Sequence, residues 1–389
     1  MWRNVVSNFL TFALVLLVAL AAAVAWGRHQ YQAPGPSAVA QCVQVAPGSS
    51  LTVVSQRLAE QGAISHPYIF RAGADYAGKA RLLRYGSYLV PPHASMADIV
   101  EVITAGGPST CGTEVIFRVG VRGNSVVLRD INPETGKYEE RVKYDPAFDT
   151  APESVVKAQE QADARLRLAV AEGVTSFQIV EGMREAAFMS GDIAAVPPEG
   201  ALAPDTYEVR KGADRQALLD EMIARQSRIL AEAWEGRMIG LPYKTPEEAL
   251  IMASIVEKET GVPSERRQVA SVFVNRLDQG MRLQTDPTVI YGVTNGKTVL
   301  DRGLRRSELK AKTPYNTYVI DGLPPTPIAN PGKAAIEAAL NPDKTEYLFF
   351  VADGTGGHAF SKTLPEHEAN VVKWREIEAN RGQVETLQQ

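Results

Sequence analysis

The longest apolar pattern in the chain lies at its N-terminal end. No charged residue occurs in residues 4–27, and the run from Phe9 to Trp26 is apolar except for Thr11. At 1.5 Å per residue, such a run suits a helix that crosses a bilayer, which needs about 20 mostly apolar residues. The pattern therefore predicts a membrane-anchoring helix within residues 1–28.

A cleavable signal peptide is the alternative for this segment. Its cleavage site needs small residues, and Ala21, Ala23 and Ala25 supply them. However, the apolar region of a signal peptide has about 7 to 15 residues, fewer than the run here. Arg3 and Arg28 flank the run and give almost no charge bias to orient the helix. Either interpretation implies export of most of the chain if the N-terminus stays inside.

After a linker at residues 29–40, the patterning predicts a small α+β unit over residues 41–112. Its expected elements are strands at 42–45 and 86–90 and helices at 51–61, 67–74 and 95–104. The pattern Val43-x-Val45-x-x-Gly48-x-Ser50 resembles the LysM-like module that binds glycan strands in cell-wall proteins. The alternative is a small structural domain that spaces or docks the rest of the chain.

The next segments have regular patterns without a functional signal. Residues 113–150 alternate around a turn at 132–137 and predict a β-ribbon. Residues 151–171 are charged and rich in alanine, and we predict a helix there. Residues 214–234 have helical spacing and lead into the helix with the most informative pattern.

That helix is short and apolar, with boundary signals at both ends. Thr245 suits the N-cap, Pro246 the first helical position, and Glu248 completes a capping box. Gly261 fits the position after the C-cap, and Pro263 follows it. We therefore predict a helix between Thr245 and Gly261.

Two carboxylates, Glu257 and Glu259, stand at the end of this helix. At about 100° per residue, Glu259 falls on the apolar stripe with Met252 and Ile255, whereas Glu257 points about 200° away. A carboxyl group at the edge of an apolar stripe loses hydration, which raises its pKa above about 4.3. Because a proton donor must be protonated near neutral pH, Glu259 is the candidate general acid. The alternative is that both residues are solvated at a frayed helix end.

Polar loops follow a second expected helix, which Ser264 would cap and Gly280 would end. The loops at residues 281–292, 313–318 and 322–328 are rich in Asn, Gln, Thr and Tyr, with an Asp-Pro turn signal at 286–287. A hairpin with strands at 347–351 and 358–360 comes next. Such side chains suit a neutral polymer with hydroxyls and amides, because Tyr rings stack on sugar faces. For any single one of them, turn chemistry or core packing is the alternative.

Composition excludes several classes of protein. The 389 residues carry a net charge of −4 with a pI near 5.9, without the basic surface of a nucleic-acid-binding protein. A content of 45% hydrophobic and 22% charged residues is that of a folded chain. The five histidines are scattered and there is no Gly-rich phosphate loop, so we expect no metal site and no cofactor. Cys42 and Cys111, the two cysteines, are compatible with a disulfide or with two buried free thiols.

Six motifs occur in order within residues 235–375. They are ASIVEKET (253–260), NRL (275–277), LQTDPTVIYG (283–292), YNTY (315–318), GLPP (322–325) and VADGTGGHAF (351–360). Together they strongly resemble the endolytic murein transglycosylases, which are YceG-like proteins. The usual layout of that family, a membrane anchor, a LysM-like segment and a catalytic domain, also fits residues 1–110. Residues 113–172 depart from it and are interpreted as an insertion.

The resemblance implies a reaction and a set of site residues. Glu259, the second Glu of the Glu-x-Glu pair, would be the essential acid, with the hydroxyl residue Thr260 after it. The enzyme, a lyase, would cleave the β-1,4 bond between N-acetylmuramic acid and N-acetylglucosamine within strands, leave a 1,6-anhydro end, and so terminate or trim nascent strands. The residues expected to bind the strand are Asn275, Arg276, Gln284, Thr285, Asp286, Tyr291, Tyr315, Asn316, Tyr318 and His358.

Two alternatives to this function stay open. One is a hydrolytic muramidase in which Asp286 or another acid activates water. The other is a membrane-anchored, glycan-binding scaffold without catalysis.

The expected fold class is α+β. The predicted parts are a tip and transmembrane helix (1–28), a linker (29–40), a LysM-like module (41–112), an inserted β-ribbon and helix (113–172), and a mixed α/β catalytic domain that carries the acid on a helix (173–389, core motifs 245–361). The resemblance implies a single-pass protein of the inner membrane, with a cytoplasmic tip and a periplasmic catalytic domain. Peptidoglycan strands are the expected partner, and cell-wall synthases are candidate partners.

Overall fold

A computed structural model of the chain describes residues 2–106, 110–132, 135–161 and 164–387, and only the backbone of residues 2–7 and 380–387. The protein is mixed α+β. Its helices are α1 (Trp2–Gln32), α2 (Leu51–Glu60), α3 (Pro67–Tyr76), α4 (Met96–Ala105), α5 (Glu153–Glu160), α6 (Ser176–Glu185), α7 (Arg215–Glu235), α8 (Pro246–Glu259), α9 (Arg266–Asp278), α10 (Asp286–Thr294), α11 (Arg306–Lys310), α12 (Lys333–Leu340) and α13 (Leu364–Leu387). Its strands are β1 (Gln41–Val45), β2 (Gly86–Val90), β3 (Glu114–Val119), β4 (Asn124–Ile131), β5 (Tyr138–Tyr144), β6 (Arg165–Val170), β7 (Met189–Ser190), β8 (Thr206–Val209), β9 (Ala213–Asp214), β10 (Phe349–Ala352) and β11 (His358–Ser361).

Contacts divide the described residues into two compact units. The first contains the residues up to Val115, together with Val127–Lys143 and Ala151–Arg165. The second contains Ile116–Val126, Tyr144–Thr150 and the residues from Leu166 onward. This division differs from the predicted boundaries, because most of β3 and β6 belongs to the same unit as the segments after residue 172.

In the first unit, α1 extends beyond the predicted apolar span. Residues 8–32 are long and apolar enough to cross a membrane, by length and composition, and their most apolar stretch is not buried in the protein. The helix continues to Gln32, so the first residues of the predicted linker are helical. The rest of the linker is held to the unit, because Gly35 N donates to His93 O (3.1 Å) and His93 N donates to Ser37 O (2.7 Å).

The elements predicted for residues 41–105 are present, with ends that differ by a residue or two. Strands β1 and β2 pair antiparallel, with Gln41 opposite Val90. Helices α2 and α4 begin at the N-caps Ser50 and Ser95, and Asp98 completes a capping box with Ser95. The buried side chains between the strands and helices include Val54, Leu58, Phe70, Tyr88 and Ile99.

A disulfide bond joins Cys42 of β1 to Cys111, so of the two alternatives for the cysteines the structure has the disulfide. Hydrogen bonds align the chain around Cys111 with β2. Thr110 N donates to Ser87 O (2.8 Å), and Leu89 N donates to the Thr110 hydroxyl (2.8 Å). The segment that leaves the small unit is therefore fixed to both of its strands.

The helix predicted over residues 151–171 is wrong in its second half. Helix α5 ends at Glu160, and β6 begins at Arg165 and pairs antiparallel with β8, Leu166 lying opposite Val209. Alternate residues of β6 are buried, which is the period-2 pattern of a strand with one face on a core. Within the second unit the strands lie in the order β3-β6-β8, and in the first unit β4 lies beside β5, so the expected ribbon is partly present.

In the second unit, α8, α9 and α12 form the core that supports the candidate site. Helix α8 contacts α7, α9, α10 and α12. The side chains of Met252, Ala253, Ile255 and Val256 are fully buried in this cluster. Because α8 is enclosed on several sides, its last residue is held by tertiary packing as well as by its own hydrogen bonds.

The ends of α8 differ in detail from the prediction. The Thr245 hydroxyl caps Glu248 N (3.3 Å), as expected, but the Glu248 carboxylate accepts from Lys244 N (2.6 Å) and not from the cap residue. Thr260, the C-cap, is extended (φ −139°, ψ 129°), and Gly261 does not have the left-handed conformation expected after the C-cap. The chain thus leaves α8 in an extended direction directly after Glu259.

Helix α9 confirms one predicted boundary and corrects the other. Ser264 does not cap it, because the helix begins at Arg266 and Glu265 takes the N-cap position. At the other end, Gly280 has a φ of +65°, Gly280 N donates to Leu277 O (3.0 Å), and Met281 N donates to Arg276 O (2.7 Å). These are the two bonds of a Schellman ending, which favours glycine.

Four helices of the second unit, α10 to α13, were not predicted. The Asp-Pro pair at 286–287, read as a turn, opens α10, where an acidic residue and a proline suit the first helical turn. Helix α12 follows the Asn330-Pro331-Gly332 loop and packs on α8. The predicted hairpin is present as β10 and β11, with Phe349 opposite Ser361.

We expect the disulfide to stabilise the first unit measurably. It closes a loop with a sequence separation of 69 residues, so replacing both Cys42 and Cys111 by Ala should lower the free energy of unfolding by about 2 to 5 kcal/mol. Urea unfolding of the two forms measures this difference. Reduced wild-type protein should match the double variant, and a wild-type curve unchanged by a reducing agent would contradict the prediction.

Candidate active site

Glu259 is the last residue of α8 and faces a cleft of about 400 Å³. The buried face of α8 brings the carboxyl group to the wall of this cleft, as its position on the apolar stripe predicted. The residues that line the cleft are Glu259, Phe273, Arg276, Leu283, Gln284, Thr285, Asp286, Tyr318, Phe349, Phe350, Leu364 and His367. The cleft therefore combines the carboxyl groups of Glu259 and Asp286 with hydroxyl, amide, cationic and aromatic groups.

The Thr285 hydroxyl donates a hydrogen bond to the Glu259 carboxyl group. Thr285 is buried, and two other buried threonines hold it. Thr285 N donates to the Thr317 hydroxyl (3.0 Å), and the Thr288 hydroxyl donates to Thr285 O (2.8 Å). These bonds form where the loop after α9 turns into α10, so the start of α10 positions the donor against the acid.

Gln284, beside Thr285, has an unusual backbone conformation. Its φ is +52°, in the left-handed region that residues other than glycine seldom adopt. Gln284 N donates to Thr317 O (3.2 Å), which helps to hold this conformation. Backbone strain of this kind costs about 1 to 3 kcal/mol and is concentrated at functional sites.

Arg276 and Tyr318 border the cleft with their polar groups already paired. Arg276 is 8% exposed, and its guanidinium donates to Leu348 O (2.6 Å) and Leu283 O (2.7 Å). The Tyr318 hydroxyl donates to Asp286 Oδ1 (2.7 Å). Arg276 therefore joins three segments of the cleft wall, while Tyr318 orients the carboxylate of Asp286.

Burial raises the pKa of the Glu259 carboxyl group, and the charge of Asp286 raises it further. The hydrogen bond from Thr285 and the nearby charges of His358 and Arg276 lower this pKa, but the net direction is upward. A raised pKa favours the protonated acid near neutral pH. Burial thus favours the protonated form of Glu259, next to groups that stabilise its carboxylate form.

Glu257 lies on a different side of α8, as its angular position predicted. Its side chain is 6% exposed, accepts a hydrogen bond from Gly332 N (2.9 Å) and lies 4.0 Å from Arg266. Burial raises its pKa as well, so the pKa direction alone does not distinguish the two acids. Their surroundings do: Glu257 joins α8 to the start of α12, whereas Glu259 faces the cleft.

Two residues predicted to bind a strand, Asn275 and Asn316, donate hydrogen bonds to backbone carbonyls of the loops. The Asn275 amide donates to Thr345 O (3.0 Å) and Tyr347 O (2.9 Å). Asn316 is fully buried, and its amide donates to the carbonyls of Glu308, Leu309 and Ala311. Neither side chain lines the cleft.

The remaining predicted residues, Tyr291, Tyr315 and His358, do not line the cleft and have other partners. The rings of Tyr291 and Tyr315 contact each other at an interplanar angle of 58°, with centroids 5.0 Å apart, and the Tyr291 hydroxyl donates to Glu199 (3.2 Å). His358 pairs with Glu265 (2.8 Å). Of the predicted set, Glu259, Arg276, Gln284, Thr285, Asp286 and Tyr318 are brought together in the cleft.

His367 and a group of aromatic residues line the cleft without having been predicted. His367 comes from α13 and stacks on Phe349, with ring centroids 5.2 Å apart. Burial lowers its pKa, with a further decrease from the charge of Arg276. The sequence carries no signal for this contact. Neither the apolar strand β10 nor the charged helix α13 has a local pattern that indicates a site, and the contact forms only when the two elements pack together. Within the part of the chain that the structure describes, no group of three or more His, Cys, Asp or Glu residues is placed to hold a metal ion.

The fold and the cleft define a mixed α+β protein whose site centres on one protonatable carboxyl group at a helix end. The family model described as the YceG-like family matches residues 43–373. The chain belongs to the YceG-like family. This match runs across residues 113–172, the segment that was interpreted as an insertion.

Named relatives are similar to parts of the chain. An endolytic murein transglycosylase of Bacillus subtilis is 41% identical over 181 residues, which are 46% of this chain and 48% of that protein. An endolytic murein transglycosylase of Streptococcus pneumoniae is 26% identical over 338 residues, which are 85% of this chain and 58% of that protein. The chain thus spans about half the length of the curated relatives it matches. A crystal structure of a putative YceG-like protein from Listeria monocytogenes has a TM-score of 0.46 and 24% identity, and the match covers 85% of this chain and 98% of that one.

We expect the substitution Glu259→Gln to stabilise the protein at alkaline pH. Because burial raises the pKa of Glu259, the folded chain keeps a proton that the unfolded chain loses above about pH 4.3, and stability falls as the pH rises through the raised pKa. Glutamine stays neutral and still accepts from Thr285. The difference in Tm between the variant and the wild type should therefore be largest at alkaline pH and decrease as the pH falls. Below about pH 4 it should stay constant. A difference in Tm that is the same across this pH range would contradict the prediction.

Proposed function

We propose that this protein is a peptidoglycan lytic transglycosylase that cleaves glycan strands internally. The observation that carries the proposal is the geometry of Glu259, a partly buried acid with a raised pKa, facing a cleft and bonded by the Thr285 hydroxyl. The names of the two curated relatives support the substrate and the reaction class. In this proposal the bond cleaved joins N-acetylmuramic acid to N-acetylglucosamine.

Glu259 acts twice in the proposed reaction. It first donates its proton to the glycosidic oxygen, which leaves with the N-acetylglucosamine part of the strand. As a carboxylate, it then takes the proton from the muramyl 6-hydroxyl while that oxygen attacks the anomeric carbon and closes the 1,6-anhydro ring. The nucleophile belongs to the substrate, so it is already close to the reacting carbon and no water is consumed. Thr285 stabilises the carboxylate form between these two steps by its hydrogen bond.

The other cleft groups have supporting roles in the proposal. Tyr318, Phe349 and His367 supply rings and polar groups that suit sugar faces and hydroxyls. Arg276 positions the cleft wall, because its donors are already bonded to backbone carbonyls.

A hydrolytic muramidase is the second candidate, and one observation favours it. Asp286 lines the same cleft as Glu259, so two acids are present, as in glycosidases that activate water. However, Asp286 accepts a hydrogen bond from Tyr318 and lies at the first turn of α10. In the favoured mechanism Asp286 raises the pKa of Glu259 and takes no part in bond formation.

We further propose that α1 anchors the protein in the inner membrane, with the cleft on the periplasmic side. The apolar length of α1 supports the anchor. Residues 41–112 would serve as a LysM-like module that contacts glycan strands, and residues 173–389 would carry catalysis. Cleavage by a membrane-anchored enzyme would terminate or trim strands close to where they are made, with cell-wall synthases as candidate partners.

Replacing the acid should abolish cleavage. We expect Glu259→Gln to reduce the rate of strand cleavage by about 10³-fold or more, because the amide can neither donate nor accept the transferred proton. The assay is the release of fragments from intact glycan strands, followed by mass spectrometry. The matched control is Glu247→Gln, which changes an exposed acid at the other end of α8 and should keep full activity.

The mass of the new ends decides between the two enzymatic candidates. Ends that lack the mass of water relative to a reducing sugar are expected for ring closure. Water-added ends would instead establish the muramidase, and full activity in Glu259→Gln would overturn both mechanisms.

Two neighbouring substitutions should shift the pH profile in opposite directions. The Thr285 hydrogen bond lowers the pKa of Glu259 and the Asp286 charge raises it. Because the first step needs protonated Glu259, kcat/KM falls as the pH rises through this pKa. Thr285→Val should therefore move the alkaline limb to higher pH, and Asp286→Asn should move it to lower pH. Thr285→Ser keeps a hydroxyl and should leave the limb in place, and shifts in the same direction for both substitutions would refute this assignment.

A further inference from the structure

The end of α1 lies beside α3, and two contacts define their relative direction. The rings of Trp26 and His66 lie 5.7 Å apart, centroid to centroid. Farther along, the Tyr31 ring covers Gly73 so closely that a Cβ there would overlap it. The step from Trp26 to Tyr31 along α1 therefore corresponds to the step from His66 to Gly73 along α3. The two helices thus run side by side in the same direction.

This arrangement sets the position of α3 along the membrane normal if α1 crosses a bilayer. Trp26 ends the apolar run of α1, and Trp side chains at such positions lie at the membrane–water interface. If α1 crosses the bilayer, as proposed above, the start of α3 at His66 and Pro67 lies at the level of the lipid headgroups. Tyr76, at the other end of α3, lies about 12 Å farther into the water.

Tyr68 and Arg71 form a pair on this first part of α3, in which Arg71 is half-buried and also donates to the Thr52 hydroxyl (3.3 Å). Tyr68 is 79% exposed, and the Arg71 guanidinium lies 4.6 Å from the centroid of its ring. Cα–Cβ bonds in a helix tilt toward its N-terminus, which for α3 is toward the bilayer. A ring with a hydroxyl and a long cationic side chain suits the boundary between lipid tails and headgroups.

The charge distribution agrees with a membrane contact. Residues 26–74 contain Arg28, Arg57 and Arg71 but one acid, Glu60, although the whole chain has a net charge of −4. Anionic lipids attract basic groups within about a Debye length of the surface. The segment from Trp26 to Ala74, which ends directly before Asp75, is therefore net basic in an acidic protein.

We propose that the first turn of α3 docks on anionic phospholipid headgroups of the bilayer that α1 crosses, through Tyr68 and Arg71. This contact rests on the proposed membrane span of α1. It holds the first unit in one orientation on the membrane surface, together with the bonds that fix residues 35–37 to that unit. The unit is then a rigid extension of the anchor, not a domain swinging on a linker.

Site-specific fluorophores on the full-length chain in vesicles test this contact. Single cysteines are introduced as Ser65→Cys beside the docking turn, Tyr76→Cys at the far end of α3 and Val18→Cys within α1, and are labelled without reducing the native disulfide. Vesicles contain phosphatidylethanolamine with phosphatidylglycerol, and quenchers are attached to the lipid headgroups or tails. We expect headgroup quenching several-fold stronger at position 65 than at position 76, and tail quenching at position 18.

Substitutions and lipid composition then test the chemistry. In the Ser65→Cys background, Tyr68→Ser and Arg71→Gln should each weaken headgroup quenching, and so should replacing phosphatidylglycerol by phosphatidylcholine. The matched control Tyr76→Ser removes an exposed tyrosine of the same helix and should leave headgroup quenching at position 65 unchanged.

The outcomes separate the docking contact from the membrane span. Tail quenching at position 18 with equally weak headgroup quenching at positions 65 and 76 overturns the docking and leaves the span. No tail quenching at position 18 overturns the span, and the docking with it. Strong quenching at position 65 that neither substitution nor lipid charge alters overturns the assignment to Tyr68 and Arg71.

Discussion

The burial of one carboxyl group, that of Glu259, sets the chemistry of the cleft. Helix α8 is enclosed by its neighbours, and it ends where its buried face reaches the cleft wall. Burial penalises the charged form, so the pKa rises, while the Thr285 hydroxyl stabilises the carboxylate once it forms. These opposing effects suit the proposed reaction, in which Glu259 both releases and accepts a proton.

The rest of the second unit keeps this carboxyl group and its hydroxyl partner in register. The Arg276 guanidinium donates to the backbone carbonyls of Leu348 and Leu283, and buried threonines hold the start of α10. On the opposite side of α8, Glu257 accepts from Gly332 N at the start of α12. The two acids of the Glu-x-Glu pair thus have different surroundings. Glu257 bonds α8 to the start of α12, and Glu259 faces the cleft.

Local signals predicted those elements whose ends are marked by their own residues. The N-cap Thr245, the Schellman glycine Gly280 and the hairpin of β10 and β11 depend on interactions within a few residues, so they could be read from sequence. The strand at Arg165–Val170 and helix α12 were missed, because their lengths are short and their states are decided by the elements they pair with or pack against. An Asp-Pro pair starts a turn or a helix equally well, and packing selected the helix.

The sequence by itself determined the apolar helix that could cross a membrane, the family motifs, and the choice of Glu259 over Glu257, because helical periodicity separates the two side chains by angle. Only the tertiary structure decided which polar residues reach the acid. Asn275 and Asn316 look like ligands for a glycan in the sequence, yet they hold backbone carbonyls of neighbouring loops, whereas His367 enters the cleft from a distant helix. The physical reason is that a buried amide must be hydrogen-bonded, and the fold decides its partners. Asn275 finds them in the segment before β10, and Asn316 finds them at the end of α11 and directly after it.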